Sequence, residues 1–219
     1  MVCSACAALP ICAAHFVVNL ALATEKRQKP CKIGLSHIYS FVLVMSTISD
    51  STFVPWFRAV APYIHMHRGK TLVVAVPGEA IAAGRLQNIV QDLALIHSMG
   101  VKIVLVHGFR PQVNEQLAAK GQQSKYYKGV RITDAFTLDC ALEAAGQLRY
   151  EIEAAFSQGL PNTPMAGATL RVISGNFLTA RPVGIVDGVN YRHSGQVRKI
   201  ATALIQQLLN QGAIVLMSH

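Results

Sequence analysis

Apolar and polar positions change rhythm repeatedly between residue 55 and the end of the chain, and each rhythm predicts an element. Thr71-Leu-Val-Val-Ala-Val76 and Val101-Lys-Ile-Val-Leu-Val106 are short apolar runs rich in β-branched residues, and each meets a glycine within two residues, Gly78 and Gly108. Runs of this kind read as buried parallel strands. Leu86, Ile89, Leu93 and Ile96 recur at helical spacing and predict a helix over 85–99, stopped by Gly100. Pro111 opens a second helix over 111–120, residues 126–133 read as extended, and Asp134 is placed to cap a long helix over 135–156. Residues 170–174 read as a strand, and 177–185 and 189–197 as a hairpin turning at Asp187-Gly188. A helix over 201–210 and a strand over 213–217 complete the pattern. Strands alternating with helices, with one inserted hairpin, predict an α/β fold: a three-layer α/β/α sandwich around a mainly parallel central sheet.

Ahead of the first strand, residues 55–67 place Trp56, Phe57, Val60, Tyr63 and Ile64 at helical spacing, with Pro62 inside the run, where a kink is expected. This aromatic helix has two readings: a cap on the core, or an arm that packs on another subunit. Residues 1–50 differ in kind. Two apolar stretches, 2–23 and 38–44, flank a charged patch without clear periodicity, and neither comfortably reaches the roughly 20 residues of a membrane-spanning helix. No positive segment precedes the first stretch, as a signal peptide requires. Residues 1–50 are therefore expected to be an extension outside the fold, with Met45 as the candidate true start, and no membrane is expected as a partner. At the other end, the strand over 213–217 stops short of the helix that ordinarily follows a parallel strand, so the chain is expected to end inside its fold.

Composition narrows the classes. The chain of 219 residues is 52% hydrophobic and 14% charged, which places it among globular chains. Its formal charge is +9, of which residues 1–50 carry +2 (Lys26, Arg27, Lys29 and Lys32 against Glu25 and Asp50); the rest is scattered. A nucleic-acid binder concentrates its charge on one face, so nucleic acid is not expected as a partner, whereas small anions suit scattered cations. Four of the five cysteines lie in the first 31 residues. A disulfide scaffold distributes them, so the body reads as a reduced, cytoplasmic domain. Cys3-x-x-Cys6 has no second pair to complete a zinc site, and no metal is expected.

A strand that ends at a glycine before a helix brings backbone donors and a helix N-terminus toward a ligand. Phosphoryl transfer at such corners calls for a lysine and several glycines. The first corner has Ala75 and Pro77 instead, and the second has Phe109 and Arg110. Gly69-Lys70-Thr71 is not a Walker A loop: Ile64 stands where the earlier glycine belongs, and the motif precedes a strand rather than following one. Arg192-x-x-Gly195-x-Val197 approaches a pyrophosphate-holding loop, but Val197 blocks the last position and the segment belongs to a hairpin. His107, at a strand end, is a general-base candidate set against a buried, hydrogen-bonded histidine. Arg131 has two readings, a bidentate fork for a carboxylate or an ion pair with Asp134 or another nearby acid. Ser174-Gly175-Asn176 is a tight turn that also has the composition to contact a ligand.

Taken together, Phe57-Arg-Ala-Val-Ala-Pro-Tyr-Ile64, Arg68-Gly-Lys-Thr71, Gly78-Glu-Ala-Ile81, Asn162-Thr-Pro164, Val172-Ile-Ser-Gly-Asn-Phe177, His193-Ser-Gly195 and Gly212-Ala-Ile-Val-Leu-Met217 resemble the N-terminal, amino-acid-kinase-like domain of bacterial N-acetylglutamate synthases. Val106-His-Gly108 and Arg131-Ile-Thr133 are similar to segments shared also with N-acetylglutamate kinases. The resemblance covers about residues 53–217 and implies the amino-acid kinase fold, with 51–219 as the first part of such a domain. It implies acetyl transfer from acetyl-CoA to L-glutamate, the first step of L-arginine biosynthesis, performed by a separate C-terminal domain that this chain lacks. Acetyl-CoA is accordingly expected in that domain, and no cofactor and no catalytic residue in this one. The kinase-like part is implied to bind L-arginine as feedback inhibitor and to build a homo-oligomer. Gly78, Gly108, Arg131, Ser174 and Asn176 are the expected substrate or effector contacts, and Trp56, Phe57, Tyr63 and Ile64 the expected oligomer arm. A working kinase of this family keeps lysine near position 75 and glycine at 77, 109 and 110, so phosphorylation of N-acetylglutamate is the less favoured alternative, beside a ligand-free assembly module.

Overall fold

The computed structural model describes residues 50–160, 163 and 165–218. The expected extension up to residue 49, the Cys3 and Cys6 pair, Met45 and most of the 161–164 loop lie outside the described residues. The chain runs through α1 (Asp50–His67), β1 (Thr71–Val76), α2 (Gly78–Ala82), α3 (Leu86–Ser98), β2 (Lys102–His107), α4 (Arg110–Ala119), β3 (Lys125–Tyr127), β4 (Val130–Ile132), α5 (Ala135–Ser157), β5 (Val172–Ser174), β6 (Leu178–Pro182), β7 (Ile185–Val186), β8 (Val189–Asn190), β9 (Gly195–Ile200), α6 (Thr202–Asn210) and β10 (Ile214–Ser218).

The central sheet has the order β1-β2-β10-β5, and every pairing in it is parallel. Its strands are apolar on consecutive positions because both faces are covered. Ile103, Leu105, Ile214 and Leu216 point to one face, where they meet Ile89, Val90 and Leu93 of α3 and Leu148, Ile152 and Phe156 of α5. Val104, Val106, Val215 and Met217 point to the other, onto Ile205 and Leu209 of α6 and Phe177. A third cluster joins Val113 and Leu117 of α4 to Cys140 and Ala144 of α5. These layers match the expected α/β/α sandwich. Asp134 caps α5 as expected, its Oδ1 accepting from Thr137 N–H at 2.8 Å.

Three expectations change in detail. The extended stretch over 126–133 is a hairpin, β3 against β4, turning at Lys128 and Gly129 with φ of 48° and 79°. A lysine is not a usual turn residue, which hid the turn in the sequence. The second hairpin does turn at Asp187-Gly188, but it is broken into two short ladders, β7 with β8 and β6 with β9, separated by a buried Tyr191 and by Arg192 at φ 56°. The reading of the aromatic helix as a core cap is overturned: along α1 from Thr52 onward, only Val60, Ala61 and Ile64 are even half-buried. Trp56 and Tyr63 are 60% and 62% exposed, and Phe53 stacks on Phe57 in the open at 5.9 Å between ring centroids.

Phe156 is among the largest fully buried side chains and joins α5 to the sheet. Phe156→Ala should cost about 3–5 kcal/mol of stability, read from denaturant unfolding of the protein that carries this chain.

Candidate functional site

The carboxyl ends of the four parallel strands meet along one edge. There β1 ends at Val76, in register with His107 at the end of β2, and His107 is in turn in register with Ser218 of β10. Pro77 and Gly78 carry the chain into α2, and Gly108 and Phe109 carry it into α4. The two corners touch. Gly108 N–H donates to Val76 O at 2.9 Å, and Gln112 Nε2 donates to Gly78 O at 3.0 Å. A methyl group on Gly78 would lie 2.8 Å from Gln112 Oε1, 2.8 Å from Pro111 Cδ and 3.0 Å from Gly108 O. Glycine at 78 is thus required by contact with the neighbouring corner.

The consequence for phosphate chemistry is direct. Proline at 77 has no N–H, Gly108 N–H is engaged by Val76 O, and Phe109 turns its ring into the apolar clusters under α3 and α4. Preorganised donors aimed at a transferring phosphoryl group are what such catalysis needs. His107 is fully buried with Nε2 2.8 Å from Ser218 Oγ, which fits the hydrogen-bonded reading of this histidine.

On the far side of β10, a cleft of about 230 Å³ is lined by Arg149, Ser174, Asn176, Phe177 and Ser218. Ser174 Oγ–H donates to Glu153 Oε1 at 2.6 Å, and Glu153 lies 3.9 Å from Arg149 Nε one turn earlier on α5. Asn176 is exposed at the cleft.

Arg131 lies on β4, apart from that cleft but tied to the second corner. Its Nη1 donates to Ser124 Oγ at 2.9 Å and its Nη2 to Arg110 O at 3.3 Å. Among the described residues no carboxylate forms an ion pair with it, which removes the reading of Arg131 as the partner of Asp134. Burial lowers the pKa of its guanidinium, the Tyr126 ring opposes that, and the charge of Arg110 adds to it. Its backbone is held from behind: Ser194 Oγ–H donates to Arg131 O, and Ser194 and Thr133 hydroxyls lie 2.9 Å apart.

The five expected contacts therefore fall into three places: Gly78 and Gly108 at the touching corners, Ser174 and Asn176 at the cleft, and Arg131 beside Arg110. Sequence reasoning missed Arg110 as a positive feature, along with Glu153, Ser124, Tyr126 and Ser194. Arg110 carried a signal, since an arginine at the first turn of a helix opposes the helix dipole and calls for a reason. Among the described residues there is no group of three or more His, Cys, Asp or Glu placed to hold a metal ion, and no helix long and apolar enough to cross a membrane.

A parallel sheet with helices on both faces, strand-to-helix corners at its carboxyl ends and a small hairpin unit beside it defines an α/β class whose ligands bind along that edge. The amino acid kinase family model matches residues 70–219, and the chain belongs to that family. It is 56% identical over 172 residues to an amino-acid acetyltransferase of Ralstonia nicotianae, covering 78% of this chain and 38% of the relative. It is 51% identical over 170 residues to an amino-acid acetyltransferase of Vibrio cholerae, again 78% of this chain and 38% of the relative. Among solved structures it is similar to the N-acetylglutamate synthase of Neisseria gonorrhoeae complexed with coenzyme A and L-arginine, with a TM-score of 0.70 at 37% identity, over 76% of this chain and 39% of that one. The chain thus spans 38% of the length of these curated relatives.

Two outcomes follow from the site. Gly78→Ala should destabilise by about 1–3 kcal/mol through overpacking at the corner, measured by chemical unfolding. Asp134 has its carboxyl held below the ordinary value of 3.8, first by the backbone hydrogen bond from Thr137. A depressed carboxyl contributes stability above its unfolded pKa and loses it as pH falls through the folded one. Asp134→Ala should therefore lower the melting temperature at pH 7, with the difference from the parent shrinking as pH falls from the ordinary carboxyl value through the lower folded one; a difference that stays constant down that acid range would count against the cap.

Proposed function

We propose that this chain is the recognition and assembly part of an N-acetylglutamate synthase, the enzyme that moves an acetyl group from acetyl-CoA to the amine of L-glutamate in the first step of L-arginine biosynthesis. In this reading the acetyl transfer, with its acetyl-CoA, belongs to sequence outside the chain. The part in hand senses L-arginine as a feedback inhibitor, in the cytoplasm, and contributes to a homo-oligomer. The observation that carries the reading is the pair of touching corners, where Pro77 offers no N–H and the Gly108 N–H is taken up by Val76 O. That leaves the kinase-like scaffold a role in recognition. The identities to amino-acid acetyltransferases supply the reaction, and the L-arginine complexed with the Neisseria gonorrhoeae enzyme supplies the effector.

The arm supports the assembly role. An 18-residue helix that presents Phe53, Trp56, Phe57, Tyr63 and Met66 to water has an apolar surface that the described residues of its own protomer leave uncovered. Aromatic residues of this kind are the usual anchors of interfaces. Arg131, which forms no ion pair with a carboxylate among the described residues, supports a role in holding an anionic group of a ligand.

L-arginine titrated calorimetrically into the full-length protein should give a saturable heat at or below millimolar concentration. Absence of heat at that concentration would favour an assembly module without an effector. Trp56→Ala combined with Tyr63→Ala should lower the assembly mass seen by light scattering at unchanged secondary structure; an unchanged mass would remove the arm from the interface.

A further inference from the structure

We propose that the cleft beside β5 is a binding site for an α-amino acid with an uncharged side chain, held by its ammonium and carboxylate groups. The proposal is independent of the reading of the chain as a sensor of L-arginine, and it adds a ligand class to which L-arginine does not belong. The cleft arises from a step in the sheet. The ladder between β10 and β5 ends with Leu216 in register with Ser174, while β10 continues beside β2 as far as Ser218. Beyond Ser174 the chain bends at Gly175, where a methyl group would lie 3.3 Å from Cζ of Phe177. That close approach turns Phe177 back into the core as part of the cleft wall and leaves Asn176 exposed at the rim.

Two polar groups there are incompletely used, and they are opposite in kind. Arg149 Nε is buried without a hydrogen-bond partner, since Glu153 at 3.9 Å lies beyond hydrogen-bond reach. A buried donor of this kind calls for an acceptor. Ser174 is the converse. Its O–H is committed to Glu153 Oε1 at 2.6 Å, so the hydroxyl offers the cleft only lone pairs, with a carboxylate behind them. Ser218 Oγ, 2.8 Å from His107 Nε2, adds a second hydroxyl on the β10 side. A cationic donor and a carboxylate-backed acceptor in one cleft complement the carboxylate and the ammonium of an amino acid. Arg149 and Glu153 balance each other in charge, and a zwitterion leaves that balance undisturbed, whereas a simple anion or cation upsets it. The rest of the wall includes Phe177 and Met217, and Arg149 is the only charged side chain among the described residues that line the cleft. A charged ligand side chain therefore finds no counter-charge there. The volume of about 230 Å³ falls below the range of drug-sized pockets and suits one small molecule.

L-alanine, L-valine, L-methionine and L-arginine, titrated separately into the full-length protein by calorimetry, test the assignment. At least one of the three neutral amino acids should bind saturably at or below millimolar concentration. It should bind at least about tenfold tighter than its own deaminated acid and its own decarboxylated amine. Arg149→Met and Ser174→Ala should each weaken it at least about tenfold, and Arg149→Lys should recover part of the first loss. The Arg149 side chain is 40% exposed, so Arg149→Met should melt close to the parent, and the heat from L-arginine should be unchanged in it. A deaminated acid bound as tightly as the amino acid would overturn the zwitterion. Neutral amino-acid binding that neither Arg149→Met nor Ser174→Ala weakens would overturn the cleft as its place. Absence of saturable binding by all three neutral amino acids would overturn the site, whatever heat L-arginine gives. Weakened L-arginine binding in Arg149→Met would overturn the selection for uncharged side chains.

Discussion

The contact between two strand-end corners governs what this scaffold can do. Gly78 and Gly108 sit so close that a single methyl group on Gly78 would strike a side-chain oxygen, a proline ring and a carbonyl at about van der Waals overlap. The hydrogen bond from Gly108 N–H to Val76 O closes the gap. In parallel α/β sheets, corners of this kind are where backbone amides reach a ligand. Here the Gly108 amide is turned onto the Val76 carbonyl at the end of β1, and Pro77 has no amide N–H. Losing one preorganised donor typically costs on the order of 100-fold in rate, and this edge lacks an N–H at Pro77 and has turned that of Gly108 inward, which leaves it poorly equipped for phosphoryl transfer.

Around that edge, the remaining polar groups divide by charge. At the cleft beside β5, Arg149, Glu153 and Ser174 neutralise and bond one another. At the second corner, Arg110 and Arg131 share a tyrosine ring, and among the described residues neither forms an ion pair with an acid. The difference is set by topology. The cleft is bordered by α5, which carries its own i, i+4 ion pair, whereas the corner is bordered by the β3–β4 hairpin, where the Ser124 and Tyr126 hydroxyls donate to Asn114. The aromatic helix α1 stands outside both, joined to the sheet through the Gly69 turn, where Gly69 N–H bonds Gly100 O at 2.8 Å.

Much of the fold was legible because its signals were local. The β-branched runs of β1, β2 and β10 are bounded by glycines, and Asp134 is an acceptor placed immediately ahead of a helical stripe. The turn at Lys128 was illegible, since nothing in a lysine announces a left-handed backbone, and the break in the second hairpin depends on Tyr191 being buried between its two ladders. Of the site, the glycines at 78 and 108 were readable from the strand-to-helix transitions. Arg110 was read only as the loss of a glycine. Its pairing with Arg131 requires the hairpin to fold back on α4, a contact between residues far apart in the chain that no local pattern encodes.

The central claim is that the two corners cannot grip the terminal phosphate of a nucleotide. Amide resonances of Gly78, Gly108 and Phe109, followed during titration with ATP and Mg²⁺, address it most directly. The account predicts that these amides stay in place to millimolar nucleotide and that N-acetylglutamate is not phosphorylated. Saturable shifts at all three, accompanied by transfer of the terminal phosphoryl group, would contradict it.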